Sequence, residues 1–414
     1  MRLLSHRTTS AVPGSVEIIR RDQLARCCHW SHAFEHERKD YRYYEIVEDT
    51  ILQGFEYGYF AIKDATGEVC AVQPFFILDQ DLLAGVIPNQ DLLAGVIPKM
   101  GNLIKVIRSI WPRFMRLRVL MVGCAAGEGH LDNADVMPLD CQSRLLASTI
   151  VTEASKLKTS LIVLKEFPAK YRVTLQCFLK CGFARVPSLP MTKLNIDYAS
   201  FADYMNKALN SATRAKLRKK FRAAAQAAPI EMCVVQDITP AVGEIYPLYL
   251  QVYERSKLHF EKLSKEYFCK LGRMMPDKVR FFIWRQNGSI VAFTLCMIHG
   301  DAIYAEYIGL DYSIALDLHL YHYAVRDMIT WSIGNGYKWF RSSALNYDPK
   351  LHLRHRLDPV DLYIRHVSRI KNPLLKLILP LIEPTRYDKT LKKFANYKEL
   401  WCNQPRFHAN SKCR

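Results

Sequence analysis

The sequence predicts an α/β protein built from two tandem copies of one sheet-and-helix unit, and three observations carry that expectation. First, a strand–turn–strand pattern occurs twice, at residues 60–74 and 281–295. Phe60/Phe281, Ile62/Ile283, Gly67/Gly288, Val69/Ile290 and Ala71/Ala292 align, with Gly at the tight position of each turn. Second, each hairpin is followed by the same order of elements, a strand, a loop, a helix and a strand. Third, half of the 414 residues are hydrophobic and a quarter are charged, which is a globular composition with room for two ordinary cores.

In the first half, Arg118–Gly123 reads as a strand and Gly123, Gly127 and Gly129 mark a loop. A helix is expected over 143–157, with Ser143 as N-cap and Leu146, Ile150, Ala154 and Leu157 on one face. Leu161–Leu164 reads as a buried strand; a helix ends at Cys181, Gly182 caps it and Phe183 starts the next strand. In the second half, Ala302–Gly309 is an alternating aromatic strand. A loop over 310–313 leads to a helix expected over 316–333, with Leu318, Tyr321, Val325, Met328, Ile329 and Trp331 as its apolar stripe. Gly334 and Gly336 stop it, and a short strand is expected over 339–342.

This order resembles the GNAT acyltransferase fold, and the double copy is similar to the FemAB-type branch, which carries two GNAT-like domains in tandem. The resemblance rests on Cys181–Pro187, on Ser200–Tyr204 followed by Arg214–Arg222, on the second hairpin and its strand–helix unit, and on Tyr347–Lys350 leading to Asp358–His366. It covers residues 40–370 and implies two mixed sheets flanked by helices. The expected division is an extension over 1–40, a first GNAT-like domain over 41–200, a second over 201–370 opening with a basic linker helix, and a basic tail over 371–414. Neither half carries a clean glycine-spaced pyrophosphate loop, and no coiled-coil arm interrupts the second half.

The net charge of +18 is concentrated. Residues 211–222 hold six basic residues and no acids, and residues 350–414 hold fifteen basic and five acidic ones. Such fields attract phosphates, tRNA or an anionic membrane surface. The N-terminus lacks the apolar core of a signal peptide, and no apolar run reaches the ~20 residues of a spanning helix. The nearest candidate, Leu374–Ile382, reads as a buried terminal helix; the alternative is contact with a membrane surface beside its basic neighbours, which would place a cytoplasmic protein peripherally at the inner face of the membrane. Twelve scattered cysteines without a CxxC pair suit free thiols in a reducing cytoplasm. The tandem segment 80–99, in which nine of ten residues repeat, has too few copies for a solenoid and reads as a local duplication in a loop.

Acyl transfer to an amine needs a base, a stabilised carbonyl oxygen and a grip on the donor. Glu306, mid-strand among aromatic residues, is the first candidate base, as the resemblance also implies; the competing reading is an ion pair. His322 is a second candidate, His319 and His322 lacking the third ligand of a metal site. Tyr347 is a candidate proton donor to the leaving group. Gly309, Asp311 and Tyr312, where the strand turns into the helix, are candidates for holding the donor. Arg214, Arg218 and Lys350 are candidates for substrate phosphates, and the Gly123–Gly129 loop for an anion. Three functions are open: an N-acyltransferase using acyl-CoA on an amine such as an amino sugar, amino acid or cell-envelope precursor; an aminoacyl-tRNA-dependent transferase of the FemX type; or a non-catalytic basic binding module.

Overall fold

The computed structural model describes residues 14–81, 116–133, 136–256 and 260–402. The tandem segment, apart from the backbone at its start, lies outside the described residues, as do residues 1–13 and the tail from 403. In chain order the strands are β1 (Ser15–Ile19), β2 (Glu56–Lys63), β3 (Val69–Asp81), β4 (Arg116–Val122), β5 (Leu161–Pro168), β6 (Ala184–Pro187), β7 (Met191–Asn195), β8 (Ile230–Val235), β9 (Val279–Gln286), β10 (Ser289–His299), β11 (Ala302–Leu310), β12 (Trp339–Ser342), β13 (Arg356–Asp358) and β14 (Val360–His366). The helices are α1 (Arg21–Leu24), α2 (Tyr41–Thr50), α3 (Leu139–Lys156), α4 (Gln176–Lys180), α5 (Phe201–Ala208), α6 (Ser211–Ala225), α7 (Val242–Arg255), α8 (Lys265–Met274), α9 (Leu320–Gly334), α10 (Tyr347–His352) and α11 (Lys371–Ile382).

The strands form two seven-stranded mixed sheets, β1-β2-β3-β4-β5-β14-β6 and β13-β7-β12-β11-β10-β9-β8. Each is the same unit. An antiparallel hairpin pairs with a third strand, and that strand pairs in parallel with the strand beyond the helix. The fold class expected from the sequence is therefore the one found. Registers fix the equivalence: Val119–Val122 pair with Leu161–Leu164 as Ala302–Ala305 pair with Trp339–Ser342.

The first-strand alignment of the two hairpins is out by one residue. Ile62 opposes Ala71, but Trp284 rather than Ile283 opposes Ala292. The second turn is tighter, with Asn287 and Gly288 both at positive φ, as a two-residue hairpin requires. Phe60 therefore corresponds to Phe282, and both lie on the outer face of their sheets. A one-residue slip moves a strand's side chains to the opposite face, so only one register is compatible with the cores.

The linear domain boundaries also need correction. At the end of each half the chain crosses into the other sheet: β6 stays in the first sheet while β7 joins the second, and β13 stays in the second while β14 joins the first. Residues 191–195 thus complete the second unit and 360–366 the first. Nor is 14–40 an extension, since β1 forms an edge of the first sheet.

The layers follow from alternation along the strands. One core lies between the sheets, joining Ala61, Val72, Phe76 and Met121 to Phe281, Ile283, Phe293 and Leu295 through α2, α7 and α8. The outer face of the first sheet packs on α3 and α4, and that of the second on α5, α6 and α9. The α9 start is later than expected because residues 311–319 form turns and His319 caps the helix in the left-handed region. Ser143 lies inside α3, whose N-cap is Pro138.

Candidate active site between the two halves

A cavity of about 410 Å³ opens where the strands cross. Pro168 and Lys170 at the end of β5, Met191 and Lys193 of β7, His299 of β10, Tyr304 of β11, Arg341 of β12 and Asp358–Val360 line it. Glu37 and Arg38, just before α2, and Glu128 and His130, in the loop after β4, complete the wall. Both units and both crossing segments therefore contribute to one site, a typical location for a ligand in a two-domain protein.

Its floor is a buried ion cluster. The segment Glu37-Arg38-Lys39-Asp40 is charged at every position and 0–6% exposed. Asp40 caps α2 by accepting from the Arg42 amide at 3.1 Å, which turns Arg38 and Lys39 inward. Arg38 pairs with Glu128 and with Glu306, and Lys39 lies 3.0 Å from Glu128 and 3.5 Å from Glu306. His130 is 3.2 Å from Glu37 and 3.5 Å from Glu128; Glu37 also takes Lys170 at 2.5 Å and the Tyr171 hydroxyl at 3.0 Å. Burial alone would raise the carboxyls of Glu37 and Glu128. The cations around them prevail and hold both well below the usual carboxylate range. Burial opposes charge on His130, yet its two carboxylate neighbours raise its pKa above the ordinary value. Burial lowers the Lys39 ammonium, and Arg38 beside it adds to that.

The cavity wall above this floor is different. The Arg38 guanidinium lies 4.2 Å from the Tyr304 ring centre, and Arg341 donates to the Tyr304 hydroxyl at 3.2 Å. Arg341 and Lys193 share Asp358, at 3.3 and 3.0 Å. His299 is half-buried, and no hydrogen bond to its ring is found among the described residues. Burial lowers its pKa, with Lys278, Arg38 and Lys170 adding to that against Glu37, which favours the neutral ring. A neutral imidazole beside cationic donors is a base next to a place for negative charge.

The candidate residues do not converge on this cavity. Glu306 reaches its floor but is 8% exposed and held by two cations, so the ion-pair reading holds and a free base there does not. Its equivalent in the first unit is Gly123, where β4 ends; the loop that starts there supplies Glu128 instead. His322 is on the far face, 2.9 Å from Lys220 of α6, with its pKa pushed down to about 4 by burial and that lysine. Tyr347 is buried and donates to the Pro190 carbonyl at 2.9 Å; burial raises its pKa, which removes it as a proton donor. Lys350 is buried too, and donates to the carbonyls of Ser343 and Leu345 at 2.6 and 2.8 Å, so it secures a loop rather than a phosphate. Burial pushes its pKa down to about 7.

The donor-holding candidates are also occupied. A side chain at Gly309 would meet the Tyr249 amide of α7 at 2.8 Å, so that glycine admits a helix. Asp311 accepts from the Ser313 amide and hydroxyl, and the Tyr312 amide donates to Gln251. In the glycine loop, a side chain at Gly127 would overlap the Lys39 ammonium, and the Gly129 amide is bonded to the Lys165 carbonyl. Arg214 bonds the Leu209 carbonyl at 2.5 Å, closing α5, whereas Arg218 is exposed with Lys216, Lys219 and Arg222.

Sequence reasoning missed His299, Arg341, Lys193 and the 37–39 segment. An isolated His at a hairpin end gives no pattern. The charged run before α2 reads as a solvated linker, because its partners lie about 90 and 267 residues away.

Residues 142–347 match the model of a family described as FemAB-like, peptidoglycan biosynthesis/recognition. Over that span the chain is similar to this family. The matched span runs from α3 into α10 and includes Lys193, His299, Tyr304, Glu306 and Arg341. No curated protein matches the sequence. Among solved structures the chain is similar to FemX, at 12% identity over 88% of this chain and 100% of that one, with a TM-score of 0.48. It is also similar to the C-terminal domain of a putative lysylphosphatidylglycerol synthetase from Agrobacterium fabrum, at 11% identity over 65% and 84%, TM-score 0.43. A tandem GNAT protein from the clavulanic acid biosynthesis pathway matches at 9% identity over 86% and 99%, TM-score 0.43.

Proposed function

We propose that this protein is a FemAB-type transferase that moves an acyl or aminoacyl group onto an amine of a cell-envelope precursor held in the cavity between its halves. The observation that carries this reading is that the His299 ring lines the same cavity as Arg341 and Lys193. The amine forms a bond to the acyl carbon and gives its proton to His299. The carbonyl oxygen takes up negative charge beside Arg341. Collapse breaks the bond to the donor's oxygen or sulfur, which takes the proton from His299 and leaves as the alcohol or thiol. The ion cluster beneath holds Arg38 against the Tyr304 ring and so fixes that wall.

Two donors remain, each favoured by one observation. The exposed basic face of α6 suits the phosphates of an aminoacyl-tRNA. The parting of β11 from β12 beyond Ala305 and Ser342 suits the thioester arm of an acyl-CoA, as the GNAT resemblance implies.

The test is product formation, read by mass spectrometry with an amine-bearing muropeptide and either acyl-CoA or charged tRNA. Turnover is expected with one donor, lost roughly 10²–10⁴-fold in kcat with H299Q and with little change in KM. Since neutral imidazole is the active form, wild-type turnover falls on the acid side, as pH drops through a His299 pKa that lies below the ordinary 6.5. Full turnover by H299Q would refute the assignment.

A further inference from the structure

The terminal helix α11 has two apolar faces. Asn372, Leu375, Leu379 and Ile382 turn inward; Leu375, Leu379 and Ile382 join the core beside β14 and β6, and Asn372 bonds the Gly182 carbonyl at 2.9 Å. The opposite face carries Leu374, Leu377, Ile378 and Leu381, which are 61, 72, 41 and 67% exposed, and Ile370 just before the helix is 90% exposed. Their i, i+3, i+4, i+7 spacing makes one continuous stripe. The expectation of a buried terminal helix therefore holds for one side, and the other side leaves the surface-contact alternative open. A chain that has already satisfied one face of a helix gains nothing in water from four more large apolar residues on the other.

The surroundings of the stripe say what it meets. Residues 366–402 hold eight Lys or Arg against three Asp or Glu. Of the three acids, Glu383 is buried and paired with Arg386. Arg369 and Lys371 are exposed at the start of α11, and Arg386, Lys389, Lys392 and Lys393 are exposed beyond its end. Tyr387, 42% exposed, donates to the Leu381 carbonyl at 2.8 Å and so borders the stripe with a ring and a polar tip. An apolar stripe bracketed by cations and edged by tyrosine is the composition of a helix that lies in the plane of an anionic bilayer surface. No helix among the described residues is long and apolar enough to cross a membrane, so contact of this kind is peripheral.

We infer that α11 docks this protein on an anionic lipid surface, with Leu374, Leu377, Ile378 and Leu381 in the acyl boundary and the flanking lysines and arginines at the headgroups. The inference is independent of which donor or acceptor the cavity takes.

The experiment is co-sedimentation of the full chain with vesicles of phosphatidylcholine alone and of phosphatidylcholine mixed with phosphatidylglycerol. Binding to the anionic vesicles is expected, weakening as salt rises. L377D combined with L381D is expected to weaken it roughly ten-fold or more, because both leucines leave the acyl boundary. Both positions are exposed, so the variant keeps its fold, which an unchanged melting temperature verifies. A second variant, K389E with K392E, is expected to lose binding to anionic vesicles most strongly at low salt. Equal binding by wild type and L377D/L381D would overturn the inference, as would no binding by wild type. A wild-type dimer in sedimentation velocity that L377D/L381D dissociates would assign the stripe to a second copy of the chain and overturn it as well.

Discussion

Replacing Glu306 by Gln is the sharpest test of how the two halves are joined. The substitution keeps the side chain's shape and removes one charge. In the native cluster Arg38 and Lys39, 3% and 0% exposed, are neutralised by Glu128 from the first unit and Glu306 from the second. In E306Q, two buried cations share a single carboxylate. Removing one partner of a buried ion pair typically costs about 3–5 kcal/mol, because the remaining charge keeps its desolvation penalty. With an unfolding entropy of roughly 2.1 cal/mol/K per residue, a chain of this length loses about 3–6 K in Tm for that energy. Thermal unfolding followed by circular dichroism reads the shift. A cycle with Lys39→Met adds a second readout: the double variant is expected to recover part of the loss, since it removes the orphaned cation as well. Turnover measured below the unfolding range should fall by much less than the loss of a proton acceptor would bring. If E306Q instead melts with wild type and loses turnover by orders of magnitude, with an altered pH profile, Glu306 is a reacting group and the ion-cluster account fails.

Other outcomes follow from the same geometry. Lys350 has a folded pKa of about 7 against roughly 10.4 unfolded. Between those values the unfolded chain binds the extra proton, so this group makes stability rise with pH over that window. Urea unfolding at pH 7 and pH 10 should show less of that rise in Lys350→Met, and an unchanged slope would contradict the buried neutral amine. Gly127→Ala places a methyl group on the Lys39 ammonium at φ +107, so a large loss of stability, beyond about 2 kcal/mol, is expected from chemical denaturation. Changing Lys216, Arg218, Lys219 and Arg222 together to Gln should leave Tm within about 1 K, because these side chains are exposed, while flattening the salt dependence of tRNA binding. A tRNA affinity with the same salt slope in this variant would make α6 a solvated face.

What the sequence made legible was everything governed by short-range periodicity. The strand at Trp339–Ser342 and the left-handed glycines at 67, 182, 288 and 336 were readable because each is decided by neighbours within a few residues. The doubling was readable because two hairpins share a pattern, although their register needed the cores to fix it. The strand exchange was not readable. β6 and β7 look like any hairpin-spaced pair, and only the sheets reveal that Ser188–Pro190 carries the chain from one to the other. The site was missed for the same reason: Lys193, Arg341 and His299 become neighbours only once that crossing is made. Tyr347 and Lys350 misled because residue type announces chemistry, while burial, which removes it, is not written locally.

The exchange also explains why the cavity sits where it does. Pro168, Met191, Pro359 and Val360 line the opening at the points where β5 meets β14 and β7 meets β13, on either side of the crossing. Arg172 closes the far side by gripping Asp361 of β14 at 2.6 Å and the carbonyls of Glu399, Leu400 and Cys402. The C-terminal turns are thereby tied to the crossing, and α11 lies between them in sequence. A force or a ligand that displaces α11 or those turns acts on the same crossing that carries Lys193 and Asp358 into the cavity wall. The two units are coupled through that wall, since each lends the other a strand, and a half expressed alone would lack both a strand of its sheet and one side of its site.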